Sequence, residues 1–153
     1  MVEADRTCIA VLDACEKYPT SHLKLVLERP EMASIMFYYT TAFFIESNYE
    51  ALKTLMYHSN SYNKAFGFNI AAGYIFEEKL EQMKEIISYS DFIICNKDDA
   101  HSCARHLSAE IGISADEKDR ETIALAMTKF LKVSSRPRVV IITDSQNPIA
   151  VAS

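Results

Sequence analysis

Asn96 and Asp99 stand three residues apart, where the apolar run Asp91 to Cys95 gives way to a helical pattern. An amide and an acid at that spacing offer two oxygen donors, the groups that hold a hard cation. By themselves the pair reads more simply as an N-cap asparagine with an acid in the first helical turn, where the helix dipole favours it. Arg6 carries a planar guanidinium suited to binding phosphate oxygens in pairs, and reads equally well as an exposed arginine in a first helical turn. Phe43 and Tyr74 offer aromatic faces that a planar ring could stack on, although a lone aromatic is more often core. Cys103 and His106 share a helix face, but two ligands are too few for a structural zinc. No local Ser-His-Asp or Cys-His arrangement is supported. Only three glycines are present, which excludes G-x-G-x-x-G and Walker loops within these 153 residues.

The composition frames these candidates. Apolar residues make up 49% and charged residues 24%, a normal globular balance. A net charge of -5 argues against a general nucleic-acid binder, which needs a basic face. No apolar run is long enough to span a bilayer, and the acidic start Met1-Val-Glu-Ala-Asp-Arg6 does not read as a signal peptide. Cys8, Cys15, Cys95 and Cys103 form no C-x-x-C pair and read as reduced thiols of a cytosolic protein.

The elements that must position the candidates alternate. Thr7 to Lys17 reads as a short helix. Ile35 to Thr40, Ala65 to Asn69, Asp91 to Cys95 and Arg138 to Thr143 read as strands. Capping boxes at Ser47–Glu50 and Ser114–Glu117 predict helices running to about Ser59 and Lys132. Phe76 to Tyr89 has helical spacing, and Asn96 caps a helix to about Leu107. Such alternation predicts an α/β fold: a parallel sheet of at least four strands with helices on both faces. Ligands on such sheets sit beyond the carboxyl ends of the strands. That rule selects Thr41 to Phe44, Asn69 to Tyr74, Cys95 to Asp99 and Thr143 to Gln146.

A family resemblance appears at those strand ends. Phe66-Gly-Phe-Asn-Ile-Ala-Ala-Gly-Tyr74 is followed, twenty-one positions on, by Cys95-Asn-Lys-Asp-Asp99. The two segments resemble the Asn-Leu-Ser-Ala-Pro-Phe type stretch and the Asn-x-x-Glu motif of adenosine kinases, which have a ribokinase-like three-layer α/β/α fold. Arg6-Thr-Cys-Ile-Ala-Val-Leu12, Tyr38-Tyr-Thr-Thr-Ala-Phe-Phe44 and Val139-Val-Ile-Ile-Thr143 resemble further family segments in the same order. The likeness runs nearly end to end but covers less than half of a family member. It implies that residues 1–153 are a partial kinase domain, without the N-terminal lid and substrate segment and without the Gly-Ala-Gly-Asp segment that carries the catalytic base.

The resemblance implies specific roles. Arg6 would reach the transferred phosphate. Cys8, Ala10, Leu12, Phe43 and Tyr74 would wall the nucleoside. Asn69, Asn96 and Thr143 would lie on the ATP side, and Asn96 with Asp99 would hold Mg²⁺ through water. Four positions depart from the family pattern: Asp99 replaces Glu and reaches roughly 1.5 Å less, Ser145 replaces Gly, Tyr74 replaces Phe, and Val11 replaces Asn. The implied activity is ATP-dependent 5'-phosphorylation of adenosine in purine salvage, with Mg²⁺ and ATP required. The ligands would be small molecules, with no nucleic-acid or membrane partner. The family is mostly monomeric and cytoplasmic, with a nuclear pool as a variant. Two alternatives stay open: another nucleoside or sugar kinase of the same fold, and a non-catalytic purine-binding or interaction protein.

Overall fold

The computed structural model describes residues 13–153. Two 3₁₀ turns, Asp13–Lys17 and Pro30–Ser34, flank helix α1 (Thr20–Leu27). Strands and helices then alternate: β1 (Phe37–Thr41), α2 (Phe43–Ser61), β2 (Ala65–Asn69), α3 (Ile75–Glu78), α4 (Leu80–Tyr89), β3 (Phe92–Asn96), α5 (Lys97–Ile111), α6 (Arg120–Thr128) and β4 (Val139–Asp144). The four expected strands pair in parallel in one sheet, β1-β2-β3-β4. A fifth strand not expected from the sequence, β5 (Asn147–Ala152), folds back antiparallel onto β4. Among the described residues no helix is long and apolar enough to cross a membrane.

Sequential strand order has a geometric consequence. Crossovers of one hand that always step the same way lay their helices on the same face. Burial follows that rule. Phe66, Phe68, Ile93, Cys95, Val140 and Ile142 alternate onto one face and are buried beneath Leu52, Met56, Met83, Leu107, Ile123 and Met127 of the helices. The opposite face carries Phe37, Tyr39, Phe92, Ile94, Val139, Ile141 and Val151, all partly or well exposed. The second helical layer expected from the sequence is not found among the described residues. Gly67 suits this open face, because a Cβ there would lie 2.6 Å from the Phe37 ring, which also packs edge-on against Phe92.

The helix boundaries correct several expectations. Helix α2 begins at Phe43 and is interrupted at Asn48 (φ -162°, ψ 86°). The Asn48 side chain accepts from the Ala51 amide at 3.0 Å and donates to the Tyr18 carbonyl at 2.7 Å. The cap is therefore Asn48, one residue beyond the expected Ser47. The Phe76–Tyr89 pattern is divided at Lys79 into α3 and α4. Helix α6 is capped by Asp119, which accepts from the Thr122 amide at 2.8 Å, rather than by Ser114, and it ends at Thr128. Asn96 caps α5 as expected, and Gly112 at φ 70° closes it.

The amino end of the sheet is locked by buried charge. Asp91 accepts from Lys132 at 2.6 Å, Ser134 at 2.8 Å, Arg136 at 3.2 Å and the Phe66 amide at 3.0 Å. Burial alone would push its carboxyl up, but these donors outweigh burial and hold it below the ordinary range. Arg138, 2% exposed, donates to the carbonyls of Ile87, Ser90, Met127, Phe130 and Leu131. It thus serves the carbonyls that α4 and α6 leave open at their carboxyl ends. Burial lowers its pKa to about 10, although Asp91 opposes the shift.

Candidate functional site

Strand register decides which candidates meet. Thr41 pairs with Asn69, Asn69 with Ile94, and Asn96 with Thr143. Asn69, Asn96 and Thr143 therefore lie along the carboxyl edge of the parallel strands. Phe43 opens α2 directly after β1, and Tyr74 closes the loop that follows β2. Residues scattered over a hundred positions of sequence share one end of the sheet, where α/β folds place ligands. Arg6, Cys8, Ala10 and Leu12 lie outside the described residues.

Each side chain has a definite setting. The Asn69 carboxamide accepts from the Ala71 amide at 3.0 Å and donates to the Tyr39 hydroxyl at 3.1 Å, so it shapes the turn after β2. Thr143 donates to the Cys95 carbonyl at 3.4 Å, a long contact. Phe43 is 46% exposed and Tyr74 50% exposed. Burial raises the pKa of Tyr74, and its hydroxyl's bond to Glu46, donated at 3.0 Å, adds to the rise. A cavity of about 140 Å³ beside β1 is lined by Phe44 rather than Phe43, together with Tyr18, Tyr39 and Leu52. Phe43 and Tyr74 thus stand as open aromatic surfaces at the strand ends.

Charges beyond the expected site residues gather beside Thr143. Asp144 lies 3.6 Å from Arg120 and 3.9 Å from Lys97. Arg120 also donates to the Pro148 carbonyl at 2.7 Å. Lys97, at the start of α5, is half exposed and supplies positive charge at the carboxyl edge. Its signal was available, since it lies inside the Asn96–Asp99 turn. Arg120 was not legible, because only the α6 cap brings it to β4. Ser145, at the position where the family pattern has glycine, adopts φ 47° in the β4–β5 turn. The left-handed backbone is therefore present without the residue that adopts it most easily.

The Asn96–Asp99 pair is the expected cation site, and its atoms do not fit that task. The Asn96 carboxamide oxygen is occupied by the Asp99 amide at 2.8 Å. Asp99 is only 6% exposed, and one of its oxygens accepts from the Gly73 amide at 2.9 Å. The other oxygen is buried without a partner. Neither carboxylate oxygen is both free and open to solvent. Cys103 is buried and His106 stacks on Phe76. Among the described residues no three His, Cys, Asp or Glu side chains gather around one point.

Comparison with known proteins decides the affinity of this chain. It is 28% identical to adenosine kinase 2 of Arabidopsis thaliana over 153 residues, covering 99% of this chain and 43% of the relative. It is 30% identical to adenosine kinase 1 of the same plant over 149 residues, covering 97% of this chain and 42% of the relative. This chain is adenosine kinase-like. It spans about two fifths of the length of the curated relatives it matches. The structure of adenosine kinase from Schistosoma mansoni in complex with 2-fluoroadenosine superposes with a TM-score of 0.72 at 25% identity, over 92% of this chain and 39% of that one. The Anopheles gambiae enzyme, solved with P1,P4-di(adenosine-5) tetraphosphate, reaches 0.78 at 20% identity over 90% of this chain and 39% of that one, and it speaks for the fold alone. No protein-family model matches the chain. The similarity to adenosine kinases bears out the expected family and the ribokinase-like parallel sheet.

Proposed function

We propose that this chain forms the central part of a phosphotransferase that moves the terminal phosphoryl group of ATP to the 5'-hydroxyl of adenosine. The observation that carries the reading is the extent of the match: adenosine kinases align with 97–99% of the chain. The fold supports it, because Asn69, Asn96, Thr143, Phe43 and Tyr74 share the ligand-binding end of the sheet. In this reading Phe43 and Tyr74 offer their rings to the purine, joined by Cys8, Ala10 and Leu12. Asn69, Asn96 and Thr143 line the phosphate side, and Arg6 meets the transferred phosphate. Lys97 adds charge stabilisation there. Mg²⁺ accompanies ATP as the counter-ion of its phosphates, without being held by the buried Asp99 carboxylate. The ligands are small molecules, and the protein works as a monomer in the cytoplasm, where the buried thiols of Cys95 and Cys103 stay reduced.

A competition assay tests the substrate class. Adenosine should displace a fluorescent adenosine analogue from the protein, and ribose at the same concentration should not. Equal displacement by ribose would favour a sugar kinase of the same fold. Retention of the analogue against both would remove the nucleoside reading.

A further inference from the structure

Asp99 occupies the third position of α5, where an acid in a capped helix ordinarily reaches back to the amide of the cap residue. It does something else. Asn96 accepts from the Asp99 amide at 2.8 Å, while the Asp99 carboxylate turns across to another loop and accepts from the Gly73 amide at 2.9 Å. That contact joins the turn after β3 to the loop after β2. The join is tight: a Cβ on Gly73 would lie 2.4 Å from Ser102 Oγ and 3.0 Å from Ser102 Cβ. Asp99 and Ser102 are successive residues on one face of α5, so the loop rests directly on that face. Any side chain at position 73 would have to push Ser102 aside. Immediately beyond the contact, Ile75 and Phe76 are fully buried, and Phe76 stacks on His106 of the same helix. Tyr74 therefore stands between two points fixed to α5.

We infer that Asp99 is a positioning residue that latches the Ile70–Tyr74 loop onto α5, and is not a ligand of the cation that accompanies ATP. A cation ligand at a strand end must offer a free oxygen toward the phosphates, directly or through water. One Asp99 oxygen is spent on Gly73, and the other is sealed from solvent without a partner. An aspartate suits this inward task, since its short side chain keeps the carboxylate close to its own helix. The latch holds Tyr74 in register with Asn96, and so ties the nucleoside side of the proposed site to its phosphate side. The cation half of this inference rests on the phosphotransferase reading, and the loop half stands without it.

Amide hydrogen exchange on the full chain, followed residue by residue, tests the latch. Asp99→Ala should speed exchange at the Gly73 amide by roughly tenfold, the effect of one lost hydrogen bond. Asp99→Asn keeps an acceptor oxygen and should preserve most of the protection, which also guards against a variant that merely unfolds. Asp98→Ala, at the exposed acid of the same turn, should leave Gly73 unchanged. Mn²⁺ binding in the presence of ATP, read by water proton relaxation, should change less than about twofold in Asp99→Asn. Unchanged Gly73 exchange in Asp99→Ala would overturn the latch. A tenfold loss of Mn²⁺ affinity in Asp99→Asn would overturn the cation half of the inference and show that Asp99 is a ligand. Absence of a protein-bound Mn²⁺–ATP complex in every variant and in the wild type, with the Gly73 response as expected, would count against the phosphotransferase reading and leave the latch standing.

Discussion

The hydroxyl of Tyr74 donates to Oε2 of Glu46 at 3.0 Å, tying the loop after β2 to the first turn of α2. Both residues are exposed, so the bond contributes little to folding. Tyr74→Phe should change unfolding stability by less than about 0.5 kcal/mol. Adenosine affinity should survive that change and fall roughly tenfold in Tyr74→Ala, since stacking a base on an aromatic ring is worth about 1–3 kcal/mol. Thermal melts and equilibrium binding of the two variants check both statements. A large melting shift in Tyr74→Phe would show that the hydroxyl is structural.

Asp91 governs the acid limb of stability. Its carboxyl is held below the usual range in the folded protein, so its contribution is present above the unfolded value and fades as pH falls through the lowered folded value. Asp91→Asn should destabilise by about 3 kcal/mol at pH 7, because it leaves Lys132 and Arg136 without their buried counter-charge. The gap between wild type and variant should shrink below about pH 4. Urea unfolding at pH 7 and at pH 3.5 measures it. A gap that stays constant with pH would refute the assignment.

Ser145 holds φ 47° in the two-residue turn between β4 and β5. The first position of such a turn commonly takes glycine when it alone is left-handed. Ser145→Gly should therefore stabilise the hairpin by about 1 kcal/mol, the usual steric cost of a left-handed L-residue. Denaturant midpoints at constant slope report the change, and a loss of stability would contradict the strain.

Residues 1–153 by themselves should not phosphorylate adenosine at a meaningful rate. They contain no Gly-Ala-Gly-Asp segment, the stretch to which the adenosine kinase resemblance assigns the base for the 5'-hydroxyl and the anion hole. General-base help of this kind contributes roughly 10²–10⁴-fold. Asp144 has suitable chemistry, but it is engaged by Arg120 and Asn147 in the turn after β4. An assay of adenosine-dependent ADP release with Mg-ATP checks this. Turnover of order 1 s⁻¹ or more, the ordinary range for enzymes, would place the catalytic machinery inside this chain.

Much of the sheet was legible, because buried parallel strands announce themselves as continuous apolar runs. Ala65 to Asn69 has the same bounds in sequence and structure. The uncovered face was not legible for the same reason: Phe37 and Tyr39 are as apolar as buried Phe66 and Phe68, and local composition does not encode what lies above them. Helix α1 escaped notice because it buries no residue. Strand β5 did so because Pro148 near its start masks an edge strand. Ser47 and Ser114 were plausible caps that lost to Asn48 and Asp119, since caps are chosen by backbone geometry among neighbouring candidates. At the site, strand-end logic located Asn69, Asn96 and Thr143. It could not tell that Asp99 turns inward, because a motif records spacing and not rotamer.

The central claim is that the carboxyl edge of this sheet receives adenosine. Amide chemical-shift mapping of the chain titrated with adenosine tests it most directly, because it needs no turnover. The account predicts shifts concentrated at Phe43, at Asn69 to Tyr74 and around Asn96, with Asp91 and Arg138 at the opposite end undisturbed. Shifts centred on Asp91 and Arg138, or none at saturating adenosine, would contradict it.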